Sequence, residues 1–207
     1  MRIGKGIFLI AAFLLLISGS SLVYISIYDI YKLEKNKDIS LIAAKEKIQI
    51  IKKDPTQPML NNEQLGDYSF KKGEAIGILE IPRLNAELPI IEGTGEYELE
   101  KGVGHYSGTV LPGQPDQILL SGHRETVFRQ LGELEMGDIF QVIMPYGTFS
   151  YEITHAQIVE ADDSTVIKST APTETLTVST CYPFSYIGDA PYRYVLTADR
   201  IDNPVTN

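Results

Sequence analysis

The hydrophobic positions of this chain form three successive patterns. The first, IFLIAAFLLLISGSSLVYISIY at residues 7–28, carries no charge and is long enough to cross a hydrocarbon core as a helix. Between Leu33 and Lys53, apolar residues recur among lysines at a spacing that predicts a loosely amphipathic helix. After Gly73 the pattern changes to short alternating runs bounded by Gly, Pro and Asp, which predict β-strands.

The first pattern has two interpretations. In a cleaved signal peptide, Arg2 and Lys5 would form the basic region, and the small residues 18–21 would form the cleavage site. The apolar character resumes after these small residues, and this favours an uncleaved membrane anchor. We therefore predict a cytoplasmic tail at residues 1–6 and a transmembrane signal-anchor at residues 7–28.

The second pattern predicts a stalk. The motif DPTQP at residues 54–58 is expected to end its helix, because proline cannot continue one. A polar stretch then leads to about Gly73. We assign residues 29–72 to a stalk and linker, and residues 73–207 to a folded domain.

The folded domain is predicted to consist mainly of short strands. A hairpin turn is expected at MPYGT, residues 144–148, and single helical turns are expected at Tyr97–Lys101 and Val127–Leu131. Many short strands without regular intervening helices favour an all-β barrel or sandwich over a parallel α/β sheet. The predicted strands are Ala75–Ile81, Leu88–Glu92, Gln117–Ser121, Ile139–Met144, Thr148–Glu160, Thr175–Thr180 and Tyr192–Asp199.

Charge is distributed unevenly along the chain. The first 53 residues carry a net charge of +5 and the remainder carries −14, which gives −9 overall. An acidic domain argues against a nucleic-acid surface, which needs clustered Lys and Arg. The lysines after the apolar run would either lie against anionic lipid headgroups or belong to a solvated stalk. Because they follow the apolar run, the positive-inside rule does not select an orientation with the N-terminus inside.

The only cysteine, Cys181, lies at the end of a predicted strand in TLTVSTCYPF. One cysteine cannot form an intramolecular disulfide, so the fold depends on its own core. A thiol is a nucleophile only as the thiolate, and a group that stabilises this anion must lie close to it. Histidine is the usual partner, and the chain contains three.

The three histidines differ in sequence context. His155 lies in the alternating segment FSYEITHAQIVE, where an imidazole is expected to be a half-buried packing residue. His105 lies between glycines in GVGHYSGT, which predicts a loop. His123 follows the buried-looking run QILLSG and, like Cys181, is presented at a strand end. His123 is therefore our candidate acid/base, although SGHR alone is more typical of an ordinary surface turn.

Arg193 opens the last predicted strand, in APYRYVLTADR, and shares a face with Val195 and Thr197. An arginine on an apolar face needs an anionic partner. That partner would be the thiolate, an oxyanion formed during acyl transfer, or a nearby carboxylate, which is the simplest explanation of the residue taken alone. The chain lacks the paired-cysteine and His-x-x-x-His spacings of zinc sites and the lysine of a P-loop, so we expect no metal and no cofactor.

Together these motifs resemble the sortases, which are cysteine transpeptidases on the surface of Gram-positive bacteria. The resemblance rests on SGHR after an apolar strand, then TLTVSTCYPF, then an arginine at the start of the last strand. The segments ILEIPRLNAELPIIEG and GVGHYSGTVLPG are also similar to sortase segments that precede the histidine. The resemblance covers residues 73–201 and implies an all-β fold, an eight-stranded β-barrel with short helical turns, preceded by the transmembrane helix.

The resemblance also implies roles for individual residues. Cys181 would be the nucleophile, and His123 would be the acid/base. Arg193 would hold the substrate and support the oxyanion. Ser121 and Thr180 match positions that flank the site in the family, and we carry them over as candidate substrate-binding residues.

The implied substrates are surface proteins with a Leu-Pro-x-Thr-Gly or Leu-Pro-x-Thr-Ala sorting motif. Sortases cut after the threonine and transfer the surface protein to a peptidoglycan precursor or another amine acceptor. The segments TCYPF and APYRY look most similar to class D sortases. The implied location is the cell membrane, crossed once, with the catalytic domain of residues 73–207 outside, and no nucleic-acid partner.

Two other functions remain open from the residues themselves. An extracytoplasmic cysteine peptidase would use the same residues and hydrolyse the thioester with water. A non-enzymatic redox-sensing or binding domain would use Cys181 as a switch that forms mixed disulfides. In that domain His123 and Arg193 would only favour the thiolate.

Overall fold

The structure is a computed structural model, and it describes residues 3–53, 70–185 and 188–201. The chain divides into two compact units, Met1–Asn36 and Lys37–Asn207. Helix α1 (Ile3–Lys53) supplies the first unit and the start of the second. The described strands all belong to the second unit.

In the first unit, helix α1 exposes large apolar side chains all around its axis. Phe8, Leu15 and Leu22, for example, expose 73%, 74% and 64% of their surface. A helix that is apolar on every side is typical of a membrane span. By length and composition, one candidate span lies within Phe8–Gln49, and the predicted apolar N-terminal helix is confirmed.

The second unit contains a closed barrel of eight strands. The strands are β1 (Ala75–Ile81), β2 (Ala86–Glu92), β3 (Val103–His105), β4 (Gln117–Gly122), β5 (Ile139–Met144), β6 (Gly147–Glu160), β7 (Thr175–Tyr182) and β8 (Tyr192–Ile201). Their order around the barrel is β1-β2-β3-β4-β7-β8-β6-β5, and β5 pairs with β1 to close it. Neighbouring strands are antiparallel, except that β2–β3 and β4–β7 are parallel.

Short helical elements connect some of these strands. Helix α2 (Glu96–Leu99) lies between β2 and β3. Single 3-10 turns occur at Pro82–Leu84, Leu131–Glu133 and Ser164–Val166. They leave the strand ends close to the barrel rim, where the candidate site lies.

Alternation along the strands builds the barrel core. On β5, for example, Phe140, Val142 and Met144 are buried while the residues between them are half-buried. Burial of each large apolar side chain contributes about 1.5–3 kcal/mol, so the core is the main source of stability in a domain without disulfides. Its members include Ile76, Leu79, Ile81, Ile90, Val103, Ile118, Leu120, Phe128, Tyr151, Leu176, Val178, Leu196 and Ala198.

The part of α1 in the second unit packs on the outside of the barrel. Ala44 and Ile48 are buried against Ile78 of β1. Lys45 and Lys47 form ion pairs with Glu87 and Glu74 respectively. The amphipathic helix predicted before Lys53 is therefore present, and its apolar stripe is buried against β1. The predicted end of that helix at DPTQP and the linker at residues 54–69 lie outside the described residues.

The predicted strands are all present, with boundaries that differ by up to two residues. Two features differ from the predictions. β3 was not predicted, and His105 lies on this strand rather than in a loop. The helical turn expected at Val127–Leu131 instead becomes a 3-10 turn at Leu131–Glu133. The hairpin expected at MPYGT is confirmed, because Met144 of β5 pairs with Gly147 of β6.

Candidate active site

The register of β7 and β8 brings two of the predicted site residues together. Cys181 is the direct partner of Arg193 in this antiparallel pair. Directly opposed residues of an antiparallel pair have Cα atoms about 4.5–5.5 Å apart and point to the same face of the sheet. The thiol and the guanidinium therefore emerge side by side.

The register of β4 and β7 brings the third residue to the same edge. In this parallel pair Gly122 is the partner of Thr180. His123 follows Gly122 as Cys181 follows Thr180, so the two residues lie at the same level of strands about 4.8 Å apart. The three candidate residues thus lie at the ends of three adjacent strands in the order β4, β7, β8.

The three side chains lie on the outer face of the barrel. Val178 and Thr180 of β7 are buried, and the residues between and beyond them, Ser179 and Cys181, are half-buried. His123 and Arg193 are also half-buried. A site at this rim can therefore be reached by a large substrate while the rigid core fixes its backbone.

Ser121 and Thr180, predicted to flank the site, occupy different faces. Ser121 is half-buried and is the partner of Ser179, so it belongs to the outer face. Thr180 is 3% exposed, and its hydroxyl donates to the Gly122 carbonyl at 2.7 Å. This hydrogen bond ties the residue before Cys181 to the residue before His123.

Gly122 allows the chain to pass close to the core just before His123. A Cβ atom at this position would lie 2.6 Å from side-chain atoms of both Phe128 and Val127. Real Cβ atoms essentially never come so close to other atoms. The glycine of SGHR is therefore needed for the backbone position of His123.

The Arg193 guanidinium lies against backbone carbonyls in this structure. Its Nη1 donates to the Tyr192 carbonyl at 3.1 Å and to the Ala190 carbonyl at 3.4 Å. Both acceptors are neutral and belong to the chain next to Arg193. These bonds hold the guanidinium against its own segment, at the end of β8 where the backbone of Arg193 pairs with that of Cys181.

His105 is occupied by structural contacts. It is 3% exposed, its Nδ1 lies 2.7 Å from the Glu92 carboxylate, and its Nε2 lies 3.1 Å from the Val110 carbonyl. Burial raises the pKa of Glu92, but hydrogen bonds from His105 and Ser107 outweigh it and the pKa is lowered. Both ring nitrogens thus lie against groups of the barrel itself, and the buried imidazole is not presented to a substrate.

His155 differs from its prediction, because it is exposed rather than half-buried. It lies on β6 opposite Thr197 of β8, beside a register shift, and lines a cavity of about 310 Å³ on the outer face. Thr175 and Thr177 of β7 also line this cavity. The cavity therefore lies on the same face of β7 as Cys181, about four residues or 13 Å along the strand.

The connection between β6 and β7 covers this cavity and is held by β4. The Gln117 amide donates to the Val166 carbonyl at 2.8 Å and accepts from the Lys168 amide at 3.0 Å. The Asp116 carboxylate accepts from the Thr170 amide at 2.6 Å. These contacts fix the covering segment on the face that leads to Cys181.

Arg124, the residue after His123, was not predicted to belong to the site. Its side chain is only 4% exposed, which is rare for arginine. The guanidinium donates to the Pro183 and Gly188 carbonyls at 3.0 and 2.9 Å, and to the Glu125 carboxylate at 2.6 Å. The only local signal was its position in SGHR, since its carbonyl partners lie 59 and 64 residues further along the chain.

An aromatic group packs beside Cys181. The rings of Tyr182, Phe184 and Tyr194 lie 5.5 to 6.2 Å apart between centroids. Burial, followed by the nearby Tyr182, raises the pKa of the Tyr194 hydroxyl, so that Tyr194 stays neutral at physiological pH. Among residues 3–53, 70–185 and 188–201, the structure contains no group of three or more His, Cys, Asp or Glu side chains that could hold a metal ion.

Comparison with known proteins identifies the family of the chain. Residues 79–201 match the family model of the sortase domain. The chain is 53% identical over 135 residues to Sortase D of Bacillus subtilis (strain 168), which covers 64% of this chain and 68% of that protein.

Two solved structures show the same fold. The Clostridium perfringens Sortase D5 transpeptidase is 24% identical with a TM-score of 0.63, covering 77% of this chain and 98% of its own. Sortase C1 of GBS pilus island 1 is 23% identical with a TM-score of 0.67, covering 83% of this chain and 95% of its own. At these identities the two structures support the barrel fold alone.

Proposed function

This chain belongs to the sortase family of cysteine transpeptidases, and from that premise we propose that Cys181, His123 and Arg193 carry out its transpeptidation. The observation that supports this assignment most strongly is the strand register. Arg193 is the direct partner of Cys181, and His123 lies at the same level on the neighbouring strand. A nucleophile, a proton carrier and a cation thus converge on one rim of a rigid barrel.

In the proposed acylation step, the Cys181 thiolate attacks the threonine carbonyl of the sorting motif. A bond forms between Sγ and the carbonyl carbon, and the carbonyl oxygen takes the negative charge. The Arg193 guanidinium stabilises that oxyanion. The carbon–nitrogen bond then breaks, and the His123 imidazolium gives its proton to the leaving amine.

In the proposed transfer step, an amine attacks the thioester. The new carbon–nitrogen bond forms, Cys181 leaves as the thiolate, and His123 takes the proton that the amine releases. The peptide bond that was broken is replaced by another peptide bond. No external energy source or cofactor is needed for this exchange.

The proposed substrates are surface proteins with a Leu-Pro-x-Thr-Gly or Leu-Pro-x-Thr-Ala motif, and the proposed acceptor is a peptidoglycan precursor or another amine. The similarity to Sortase D of Bacillus subtilis supports the class D subtype. The outer face of β7 between Cys181 and Thr177 is long enough for about four residues of an extended peptide. We assign the acyl-donor peptide to this face.

We further propose that residues 7–28 cross the cell membrane and hold the barrel of residues 73–207 on the outer side. Residues 1–6 would then be cytoplasmic, and residues 29–72 would form the stalk. The exposed apolar surface of α1 in the first unit supports a membrane span. The orientation follows from the chemistry, because sorting-motif proteins and wall precursors meet outside the membrane.

The proposal is tested with the full chain in detergent micelles and two quenched peptides that differ only in the last residue of the motif, Gly or Ala. Cleavage is followed with and without an added amine, beside Cys181→Ala, and products are identified by mass. We expect cysteine-dependent cleavage after threonine and a ligated product when the amine is present. A free acid alone would indicate a peptidase, and no cleavage of either peptide would contradict the proposed substrate.

A further inference from the structure

The residue after His123 is an unusually buried arginine, Arg124. Arg124 is 4% exposed, although an arginine is rarely so deeply buried. A buried charge is costly unless its hydrogen-bonding groups are satisfied. Arg124 meets this condition through its Nε, Nη1 and Nη2 atoms, each of which donates to an oxygen at 3.0 Å or less.

The acceptors of Arg124 connect the two halves of the candidate site. Nη1 and Nη2 donate to the carbonyls of Pro183 and Gly188, which follow Cys181 in the connection between β7 and β8. The guanidinium is planar and rigid, so two of its nitrogens can fix two carbonyls at once, which an ammonium group does less well. The chain after His123 is thus tied to the chain after Cys181.

The charge of Arg124 is balanced by the neighbouring carboxylate of Glu125. Its Nε donates to Glu125, a side chain that remains largely exposed. Partial burial raises the pKa of the Glu125 carboxyl, but the hydrogen bond from Arg124 and the charges of Arg124 and His123 lower it overall. Glu125 therefore stays ionised at neutral pH and neutralises the buried guanidinium.

A second hydrogen bond acts on the other side of the same residues. The Thr180 hydroxyl donates to the Gly122 carbonyl, so the residues that precede Cys181 and His123 are also joined. Cys181 and His123 therefore each lie between two cross-links. The Thr180–Gly122 hydrogen bond precedes both residues, and the hydrogen bonds of Arg124 to Pro183 and Gly188 follow them. Of these two cross-links, that of Arg124 lies beyond Gly122 and Thr180, the last residues that pair β4 with β7.

We propose that Arg124 is a positioning residue of this enzyme, which holds the chain on either side of Cys181 and His123 so that the thiol and the imidazole stay within reach of each other. The inference rests on the roles proposed above for Cys181 and His123. The described hydrogen bonds of Arg124 are to Glu125, Pro183 and Gly188, so the proposed role is to position the site. A displacement of about 1 Å in such a pair costs up to about 100-fold in rate, so loss of the clamp acts on turnover.

The test uses the full chain in detergent with Arg124→Lys, Arg124→Gln and the matched control Arg129→Gln. Arg129 lies in the same segment, but it is exposed, and among the described residues its guanidinium donates to the nearby Glu125 carbonyl. For each protein, kcat and KM for the sorting peptide are measured well below the melting temperature. The pH dependence of Cys181 alkylation by iodoacetamide is measured beside it, with His123→Ala as the reference for an uncoupled thiol.

We expect kcat to fall about 10-fold in Arg124→Lys and about 100-fold in Arg124→Gln, with KM changed less than about threefold. The alkylation profile of both variants should move toward that of His123→Ala, while Arg129→Gln matches the wild type. If Arg124 only stabilised the fold, the folded variants would keep the wild-type kcat and alkylation profile. That result would overturn the inference.

Two further outcomes separate this inference from the proposed function. If the wild type does not cleave the peptide, the proposed substrate fails, but the alkylation profiles still decide the role of Arg124 because they need no substrate. If both Arg124 variants fail to fold, NMR of the wild type decides instead. A clamped guanidinium gives separate, slowly exchanging Nε and Nη proton signals for Arg124, and averaged, rapidly exchanging signals would contradict the clamp.

Discussion

The regions around His105 and His123 lie on adjacent strands, and they use the same side chain in opposite ways. His105 ends β3 and is buried, with both ring nitrogens facing acceptors on Glu92 and Val110. His123 follows β4 and is half-buried at the rim of the barrel. It lies at the same level along the strands as Cys181. A histidine with both nitrogens occupied stabilises the barrel, whereas a histidine at an accessible strand end can exchange protons with a thiol and a substrate.

The largest expected effect on turnover is that of replacing His123. We expect His123→Ala to lower turnover by about three orders of magnitude, because general acid–base catalysis typically contributes 10²- to 10⁴-fold. The free energy of unfolding should change by less than about 0.5 kcal/mol, as for other substitutions away from the core. Steady-state kinetics and urea denaturation of the full chain measure the two effects.

Alkylation provides the control for this variant. Cys181 of His123→Ala should still react with small alkylating agents, which shows that the thiol remains accessible. Turnover at the wild-type rate without His123 would assign the proton transfer to another group.

The next effect in size is expected at Arg193, on the other side of Cys181. Arg193→Ala should slow formation of the acyl-enzyme by about 100- to 1,000-fold, because an oxyanion loses its charged donor. The fold should remain intact, since the hydrogen bonds of Arg193 within the described part of the chain go to carbonyls of its own segment. Single-turnover acylation followed by rapid quenching and mass measurement gives this rate directly, and unchanged acylation would assign Arg193 a structural role.

Replacing His105 is expected to lower stability and to leave turnover nearly unchanged. His105→Ala should lower the free energy of unfolding by about 3 kcal/mol, because it removes the imidazole that pairs with the buried Glu92 carboxylate. Turnover per folded molecule should stay within about threefold of the wild type. Active-site titration with an alkylating reagent counts the folded molecules. A loss of turnover as large as that of His123→Ala, without a loss of stability, would reverse the assignment of the two histidines.

The smallest expected effect is on the stability of the fold at acidic pH. The pKa of Glu92 is lower in the folded protein than its ordinary value, so its ionised form stabilises the fold. This contribution is present above the ordinary glutamate pKa of about 4.3 and is lost as the pH falls through the lowered folded value. Glu92→Gln should be less stable than the wild type at pH 7, and the difference should shrink below about pH 4. Thermal melts across pH 3 to 7 measure it, and a constant difference would show that the pair does not act through ionisation.

Most of the barrel could be predicted from the sequence because its strands alternate regularly. β5 and β7, for example, carry their core residues at every second position. β3 could not be predicted, because it has three residues, its middle residue is Gly104, and Gly102 precedes it. At Gly104 a Cβ would lie 2.5 Å from the Gly93 carbonyl, so the glycine reflects close packing of backbones rather than a loop.

The candidate site was predictable where its residues end strands. Local patterns made Cys181, His123 and Arg193 candidates, the resemblance to sortases implied their roles, and the register brings their backbones to one rim. Arg124 could not be identified, because its burial depends on carbonyls that are distant in sequence. The docking of Ile48 on the barrel was missed for the same reason, since an amphipathic stripe does not reveal what covers it.

The most direct test of the account is the mass of the enzyme during turnover. The full chain is mixed with a Leu-Pro-x-Thr-Ala peptide without an amine, quenched in acid and digested, and a second sample receives the amine before quenching. The account predicts an acyl adduct on Cys181 in the first sample and its replacement by a ligated peptide in the second, with no adduct in Cys181→Ala. Cleavage of the peptide without any adduct on Cys181 would contradict the thioester mechanism and the site built around it.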